Sequence, residues 1–185
     1  PPGDAQADFG EALVVIGGVE QKGHFLCVDL PHSDDSFVVM FPAENTEAFS
    51  EGHNQAFAYL GGVPRTMLYD NTSIAVKEIT GDGDRKPTEE FSRLKSHYLF
   101  EAKFGRPGKG NDKGNVEGLV GYARRNFMVP VPHAASWEEL NAQLAERCRQ
   151  RRERKLWGHT ETIAERFQRD REKLLPLPAA PYEAC

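Results

Sequence analysis

The sequence predicts an α/β domain built on a mixed sheet, and three observations support this prediction. Three apolar runs rich in β-branched and aromatic residues follow one another at 12–18, 24–30 and 37–41, with short connections. The apolar spacing then becomes helical over residues 46–60, and another β-like run follows at 66–69. A strand, a helix and a strand in succession favour a right-handed crossover, so the last strand is expected to be parallel to a neighbour. We therefore expect an antiparallel meander, continued by parallel strands and flanked by helices.

The first predicted helix has recognisable ends. Thr46 is expected to be its N-cap, because a threonine hydroxyl can accept a hydrogen bond from the first helical turn. Gly61 and Gly62 are expected to end it, because glycine readily takes the left-handed conformation that closes a helix. The β-like run that follows ends at Asp70, which places a carboxylate at the end of a strand.

The second half of the chain is predicted to be mainly helical. Residues 72–87 are polar and contain Gly-Asp-Gly-Asp at 81–84, so we expect a turn or a flexible insertion there. Ser136 and Glu139 have the spacing of a capping box, which predicts the start of a long helix. The remaining predicted elements are a helix over 88–99 capped by Thr88, a fifth strand over 101–104, a helix over 115–125 and a last helix over 162–173.

Length and composition exclude several classes of protein. The 185 residues suffice for one sizeable core with a C-terminal appendage. There is no secretory leader pattern and no apolar run near the ~18 residues that a membrane span needs. The three cysteines are odd in number and lack metal-ligand spacing, as do the six histidines. A disulfide framework and a zinc site are therefore disfavoured, and a cytoplasmic, reducing compartment is expected.

The net charge of -5 hides a gradient along the chain. Residues 1–60 contain one Lys or Arg against ten Asp and Glu, whereas residues 102–185 contain sixteen against eleven. Attraction to phosphate depends on local basic patches more than on the total charge. The charge distribution therefore permits a nucleic-acid surface on the C-terminal half.

Three acidic residues stand in contexts that suit metal-dependent phosphoryl transfer. Asp8 and Asp70 lie in or at the end of β-like runs, and Glu117 opens a helix behind a glycine-rich loop. Carboxylates can hold two Mg²⁺ ions roughly 3.5–4 Å apart over a phosphodiester, since Mg²⁺ prefers oxygen ligands. Taken singly, each acid also suits a turn or a helix N-terminus. Five other acids are assigned to solvated turns: Asp4, Asp29, Asp34, Asp35 and Asp112.

The glycine-rich loop at 105–114 is basic and carries candidate contacts to a phosphate backbone. A basic loop can equally be a solvated surface. The loop lacks the spacing and the Ser or Thr of a P-loop. The candidate DNA-binding residues are Arg106, Lys109, Lys113 and Asn115 in and after this loop, with Arg124 and Arg125 in the helix that follows.

The sequence also contains a basic run whose role stays open and two tryptophans. The basic run at 147–155 either follows a DNA backbone or is an ordinary solvated helix face, because acids are interleaved in it. Trp137 and Trp157 are expected to be packing residues.

Several segments carry a likeness to a known family: Gln6-Ala7-Asp8, Tyr69-Asp70-Asn71, the His97-Tyr98-Leu99-Phe100 run, and residues 104–122 with their Lys113-Gly114-Asn115-Val116-Glu117-Gly118 block. They resemble the catalytic core of DDE transposases and retroviral integrases, in particular the IstA-type transposases of bacterial insertion sequences. The resemblance covers roughly residues 5–175. It departs from the common pattern at two positions. Ala5 stands where many integrases have Trp, and Thr72 stands where a Gly often follows the Asp-Asn pair. The gap between Asp70 and Glu117 is also longer than in retroviral integrases, and the polar insertion can absorb the difference.

The resemblance implies an RNase H-like fold in which Asp8, Asp70 and Glu117 are the catalytic, metal-binding triad. Asp8 and Asp70 would share one Mg²⁺, and Glu117 would complete a second site with Asp8; Mn²⁺ would substitute. The family hydrolyses the ends of its element to free a 3′-OH and joins that hydroxyl to target DNA. The reaction expected here is direct in-line transesterification without a covalent protein–DNA intermediate.

The resemblance also implies partners and a division of the chain. It implies transposon-end and target DNA, a homo-oligomeric active complex, and an AAA+ helper ATPase. It further implies an N-terminal DNA-binding region and a C-terminal β domain outside this sequence, which starts at Pro1. We expect an integrase-type catalytic core over 1–130, a helical extension over 131–175, and a proline-rich linker over 176–185.

Two alternatives remain open from the sequence. One keeps the fold but is a structure-specific nuclease of the RNase H-like class, which would cleave DNA without joining it. The other is a DNA-binding or self-associating module with a degenerate site. Loss of Mn²⁺ binding in an Asp8→Asn variant would argue against the second alternative.

Overall fold

The structure, a computed structural model, describes residues 1–70, 74–81, 88–105 and 118–183. Over these residues the chain forms six strands and six helices. The strands are β1 (Asp4–Ile16), β2 (Val19–Leu30), β3 (Asp35–Phe41), β4 (Thr66–Asp70), β5 (Glu101–Gly105) and β6 (His133–Ala134). The helices are α1 (Thr46–Leu60), α2 (Ile74–Thr80), α3 (Glu89–Tyr98), α4 (Gly118–Phe127), α5 (Trp137–Arg151) and α6 (Ile163–Arg171).

The strands form one mixed sheet in the order β3-β2-β1-β4-β5, and β6 pairs with the far end of β1. β1, β2 and β3 are antiparallel and form the predicted meander, whereas β4 runs parallel to β1 and β5 parallel to β4. The predicted mixed α/β architecture is therefore confirmed, with β6 as a sixth strand beyond the five expected. The two residues of β6 are too few to show a strand pattern in the sequence.

Three elements differ from the sequence prediction. β1 begins at Asp4 rather than at residue 12, because its first half alternates small buried residues with polar ones. The N-cap of α1 is Asn45 and not Thr46, since the Asn45 side chain accepts a hydrogen bond from the backbone N–H of Ala48 at 2.8 Å. The helix α2 lies inside the polar segment that was expected to be a turn or an insertion.

Three other helix boundaries are as predicted, whereas α5 ends at Arg151 and not at Lys155. Gly61 closes α1 in the left-handed conformation, with φ of 77°. Thr88 caps α3 and Ser136 caps α5, each accepting a hydrogen bond from a backbone N–H of the first turn. Within the described ranges, no helix is both long enough and apolar enough to span a membrane.

The two faces of β1 have different neighbours because side chains alternate along a strand. Ala7 and Phe9 are buried on the face covered by α1, where the rings of Phe9 and Phe49 lie 5.8 Å apart. Asp8 and Gly10 therefore point to the opposite face, on which α4 packs. This alternation turns Asp8 away from the aromatic core.

A buried histidine links α1 to β4 inside that aromatic core. His53 accepts a hydrogen bond at Nε2 from the Tyr69 hydroxyl, at 2.8 Å, while its Nδ1–H donates to the Phe49 carbonyl at 2.7 Å. Burial lowers the pKa of His53 to about 4, so the ring is neutral in the folded state. The ring also packs against those of Phe57 and Phe100.

The last described segment packs back on the core. Leu175 and Val63 exchange backbone hydrogen bonds of 2.8 and 2.7 Å. Tyr182 is buried, and its hydroxyl donates to Glu90 on α3 at 2.6 Å while its backbone N–H donates to Asn54 on α1 at 3.1 Å. Residues 176–183 thus lie against α1 and α3. The division of the chain at residues 130 and 175 stays a prediction.

Candidate active site

Asp8 and Asp70 occupy neighbouring positions on two parallel strands. Ala7 lies opposite Tyr69 in the β1–β4 register, so the next residues on the two strands are Asp8 and Asp70. β4 ends at Asp70, and both side chains are half-buried. Because Ala7 and Tyr69 are fully buried in the core, the two carboxylates point to the opposite face of the sheet.

Asp8 lies beside a cysteine whose thiol is not available for chemistry. Asp8 Oδ1 accepts a hydrogen bond from the Phe9 N–H at 2.8 Å. Cys27 lies opposite Asp8 on β2 and is fully buried. Burial, followed by the negative charges of Asp29 and Asp8, raises the pKa of the Cys27 thiol well above its ordinary value. The thiol therefore stays protonated, which removes it as a nucleophile or as a soft metal ligand.

The first turn of α4 lies over β1 next to Asp8. A Cβ atom at Gly10 would be 2.6 Å from Val120 Cγ1 and 2.6 Å from Phe25 Cζ, so only glycine allows α4 to approach this closely. Gly10 is two residues beyond Asp8 on the same face of β1. α4 begins at Gly118, the residue that follows Glu117 in the sequence.

Most of the predicted loop residues lie outside the described residues. Of the predicted site, the structure describes Asp8, Asp70, Arg124 and Arg125. Both arginines are exposed on α4, and Arg124 Nε donates a hydrogen bond to the Glu11 carbonyl at 2.7 Å. The predicted residues outside the described ranges are Glu117, Arg106, Lys109, Lys113 and Asn115.

The donor atoms of the described pair fit Mg²⁺. Carboxylate oxygens are the hard ligands that Mg²⁺ prefers, and Mg²⁺ retains several waters, so few carboxylates are required. Asp8 and Asp70 supply such oxygens from adjacent strands. Among the residues that the structure describes, no three His, Cys, Asp or Glu side chains cluster to hold a metal ion. A third protein ligand would have to come from elsewhere in the chain.

The prediction that five acids lie in solvated turns is wrong for Asp4, Asp29 and Asp35, which are all strand residues. Asp34 does lie in a turn, and Asp112 is outside the described residues. Asp29 is within β2, and burial raises its pKa to about 7, although Ser36 Oγ donates to it at 3.0 Å and opposes that rise. Asp35 opens β3, is 1% exposed, and accepts a hydrogen bond from Arg152 Nη2 at 2.7 Å. The arginine that partners Asp35 is remote in sequence, so no local pattern shows the pair.

Three arginines of the basic run at 147–155 make contacts within the fold, so this part of the run is neither a surface that follows a DNA backbone nor an ordinary solvated helix face. Arg147 donates to two carbonyls at the C-terminal end of α4, Arg151 is buried, and Arg152 pairs with Asp35. Arg149 pairs with Glu146 on the same helix at 2.8 Å. Three of these arginines therefore hold the fold together.

The prediction that both tryptophans pack in the core is wrong for one of them. Trp137 packs against the core, but Trp157 is 98% exposed. Trp157 lies between α5 and α6, beyond the last residue of the long helix. Residue type is the only ground for expecting Trp157 to pack, and it does not specify a neighbour.

Comparison with known proteins identifies relatives by sequence. No family model matches the chain. The chain is 35% identical over 150 residues to a transposase of Aminobacter aminovorans, covering 80% of this chain and 30% of that protein. It is 32% identical over 179 residues to the transposase of insertion sequence IS21 of Pseudomonas aeruginosa, covering 96% and 46%. It is 30% identical over 181 residues to the IS1326/IS1353 transposase of the same species, covering 95% and 35%. The chain thus spans less than half the length of each of these relatives.

Comparison of structures identifies the fold. The chain is similar to the integrase catalytic core domain of HTLV-2 in complex with magnesium, in a trimeric form, with a TM-score of 0.55 and 14% identity. That similarity covers 89% of this chain and 95% of the integrase core. The dimeric form gives a TM-score of 0.56 and 15% identity, with 90% and 97% covered. These similarities place the chain with the transposases of IS21- and IS1326-type insertion sequences, and its fold is the RNase H-like fold of a retroviral integrase catalytic core.

Proposed function

We propose that the chain is the catalytic domain of a DNA transposase that cleaves the 3′ ends of its element and transfers them to target DNA. The observation that carries the proposal is the position of Asp8 and Asp70 at adjacent places on β1 and β4. The contact of Val120 with Gly10 supports a third acid from the segment before α4, because α4 starts beside the same face of β1. Glu117 is the acid at that point of the sequence.

The three carboxylates would act as ligands of two Mg²⁺ ions, for which Mn²⁺ would substitute. Asp8 would contribute to both ions, Asp70 to one and Glu117 to the other. When bound, the ions would polarise the scissile phosphate and the attacking hydroxyl. The integrase core of HTLV-2 was solved with magnesium, which supports a divalent metal in this fold. The protein's part is to hold the carboxylate oxygens of Asp8 and Asp70 at fixed positions on two adjacent strands.

The DNA backbone would be held by the basic residues before and on α4. Arg124 and Arg125 are exposed on α4, which supports a role in contacting phosphates. The sixteen Lys and Arg of residues 102–185 support a DNA surface on that half of the chain. The other proposed contacts come from the loop before α4, through Arg106, Lys109, Lys113 and Asn115.

The transposase relatives support partners beyond a single chain. The curated relatives are transposases of insertion sequences, so we propose transposon-end DNA and target DNA as substrates. The HTLV-2 core occurs in dimeric and trimeric forms, which supports a homo-oligomer in the active complex. An AAA+ helper ATPase is proposed from the likeness to IstA-type transposases, and a cytoplasmic location from the cysteine pattern.

The proposal is tested by replacing single acids in the full-length protein. Asp70→Asn and Glu117→Gln remove one charge each and keep nearly the same volume. Strand transfer of a labelled transposon end should fall at least about 10²-fold in either variant, because lost charge stabilisation of several kcal/mol corresponds to such a factor. Binding of the end should persist, and Asp4→Asn on the same strand as Asp8 is the matched control. Wild-type strand transfer in Asp70→Asn would contradict the proposal.

The products of the same assay separate a transposase from a nuclease of the same fold. Joined DNA, seen as a labelled strand longer than the substrate, requires transfer of a 3′-OH to target. Cleaved but never joined DNA would favour the nuclease alternative. No metal-dependent chemistry, together with normal DNA binding, would favour the non-catalytic module.

A further inference from the structure

Helix α4 is tied to α5 by a buried arginine. Arg151 is 6% exposed, and its Nε donates a hydrogen bond to the Tyr122 hydroxyl oxygen at 2.9 Å. Its Nη2 donates to the same oxygen and its Nη1 to the Asp34 carbonyl. The guanidinium carbon also lies 5.0 Å from the centre of the Tyr122 ring. One buried cation therefore joins α4, α5 and the turn between β2 and β3.

A second arginine of α5, Arg147, binds the C-terminal end of α4. Arg147 Nη1 donates to the Phe127 carbonyl at 2.6 Å, and Nη2 donates to the Asn126 carbonyl at 2.7 Å. These carbonyls belong to the last turn of α4, where backbone acceptors lack a partner within the helix. A cation there also interacts favourably with the helix dipole. The C-terminal end of α4 is thus fixed to α5.

The apolar side of α4 sets its distance from the sheet. Val120 lies in the space that a side chain at Gly10 would occupy, and Ala123 and Phe127 are buried. These apolar contacts have no hydrogen-bond direction, so the directional contacts of α4 come from polar side chains. The forked hydrogen bonds of Arg151 to Tyr122 are directional, and they distinguish one orientation of α4 from its neighbours.

We propose that Arg151 and Tyr122 are positioning residues that set the orientation of α4 on β1, and through it the position of Glu117. This inference rests on the proposed function, in which Glu117 is a metal ligand. Glu117 directly precedes α4, whereas Arg151 belongs to a helix outside the site. A misplacement of a reacting group by about 1 Å can cost up to about 10²-fold in rate. Mg²⁺ is sensitive to such a change because it demands near-ideal octahedral geometry.

The inference predicts a metal-binding defect without loss of the fold. Tyr122→Phe removes the oxygen that accepts two of the Arg151 hydrogen bonds and keeps the ring. We expect the Mn²⁺ concentration for half-saturation to rise about 3–10-fold, which is less than the ~10–100-fold typical when a direct partner of a metal ligand is lost. The Mg²⁺ concentration for half-maximal strand transfer should rise by a similar factor.

The experiment uses the full-length protein bound to its transposon-end DNA. Mn²⁺ binding is followed by the electron paramagnetic resonance signal of the free ion, and Mg²⁺ dependence by strand transfer. Tyr182→Phe is the matched control, because the Tyr182 hydroxyl is also hydrogen-bonded within the fold, but as a donor to Glu90 on α3. Arg149→Gln is a second control, since Arg149 pairs with Glu146 on the exposed side of α5. Circular dichroism at the assay temperature establishes that each variant is folded.

The outcomes separate the inference from the proposed function. If the Mn²⁺ concentration for half-saturation rises in Tyr122→Phe and in neither control, the positioning role is supported. A folded Tyr122→Phe with the wild-type metal dependence overturns it, as does an equal rise in Tyr182→Phe, which would indicate a general loss of stability. Unchanged Mn²⁺ binding and strand transfer in Asp70→Asn and Glu117→Gln would instead overturn the proposed function itself.

Discussion

His53 and Tyr69 are hydrogen-bonded inside the core, with 2.8 Å between the imidazole Nε2 and the phenol oxygen, and Tyr69 immediately precedes Asp70. The bond ties α1 to the end of β4. The Tyr69 hydroxyl must donate in it, because the Nδ1–H of His53 donates to the Phe49 carbonyl. The strand β4, which carries Asp70, is therefore anchored to α1 by a neutral histidine.

The buried His53 should make stability fall in acid. Burial lowers the pKa of His53 to about 4, so the unfolded chain binds a proton more readily than the folded chain. The neutral ring therefore makes its whole contribution to stability above the ordinary pKa of 6.5, and this contribution is lost as the pH falls toward 4. The free energy of unfolding of the wild type, relative to His53→Gln, should decrease by about 3 kcal/mol between pH 7 and pH 4. Urea denaturation of both proteins at several pH values measures this difference. A difference that does not change with pH would show that His53 is not buried as described.

Asp29 should have the opposite effect. Burial raises its pKa from 3.8 to about 7, so the folded state binds the proton more tightly, and stability is lost as pH rises through this range. Asp29→Asn should therefore stabilise the protein at pH 8, by on the order of 2–4 kcal/mol, and the gain should vanish near pH 4. Asn keeps an oxygen that can accept the Ser36 hydrogen bond.

The matched control for Asp29→Asn lies on the same strand. Glu20→Gln changes an exposed acid of β2 and should alter the free energy of unfolding by no more than about 0.5 kcal/mol at either pH. A stabilisation of Asp29→Asn that is equal at pH 4 and pH 8 would show that the raised pKa of Asp29 is not its cause.

Gly10→Ala should disturb the packing of α4 on β1. The added methyl would lie 2.6 Å from both Val120 and Phe25, and overpacking of this kind costs about 1–3 kcal/mol. Gly105→Ala is the control, because its nearest atom would be Leu68 Cδ1 at an ordinary contact distance of 3.6 Å. Thermal unfolding measures both variants.

A double variant checks the cause of the Gly10→Ala effect. Adding Val120→Ala should recover part of the lost stability, since it removes one of the two atoms that clash. If the stability losses of Gly10→Ala and Val120→Ala simply add in the double variant, then Val120 does not pack against Gly10.

The residues that the sequence predicts well are those whose signal is local. Asp70 ends a short β-like run, and the strand-helix-strand order before it implies a parallel strand, so its place beside β1 follows from the sequence. Asp8 was harder, because the first half of β1 alternates small and polar residues and lacks β-branched ones. Its assignment depended on its resemblance to a family more than on its own pattern.

The features that the sequence does not reveal depend on distant partners. Asp35 and Arg152 are far apart in the chain, so nothing near Asp35 distinguishes it from a solvated acid. Arg151 belongs to a run whose composition also suits DNA binding, and only the fold shows that Tyr122 and Asp34 surround it. Trp157 illustrates the converse, since a residue type that usually packs is exposed after the helix has ended.

The central claim is that Asp8 and Asp70 together bind a divalent metal ion. Crystals soaked in Mn²⁺ test it through the anomalous difference density. We expect a peak about 2.1 Å from a carboxylate oxygen of each aspartate, and the absence of that peak in crystals of Asp8→Asn. A protein active in Mn²⁺ whose crystals show no peak between β1 and β4, or a peak that persists in Asp8→Asn, would contradict it.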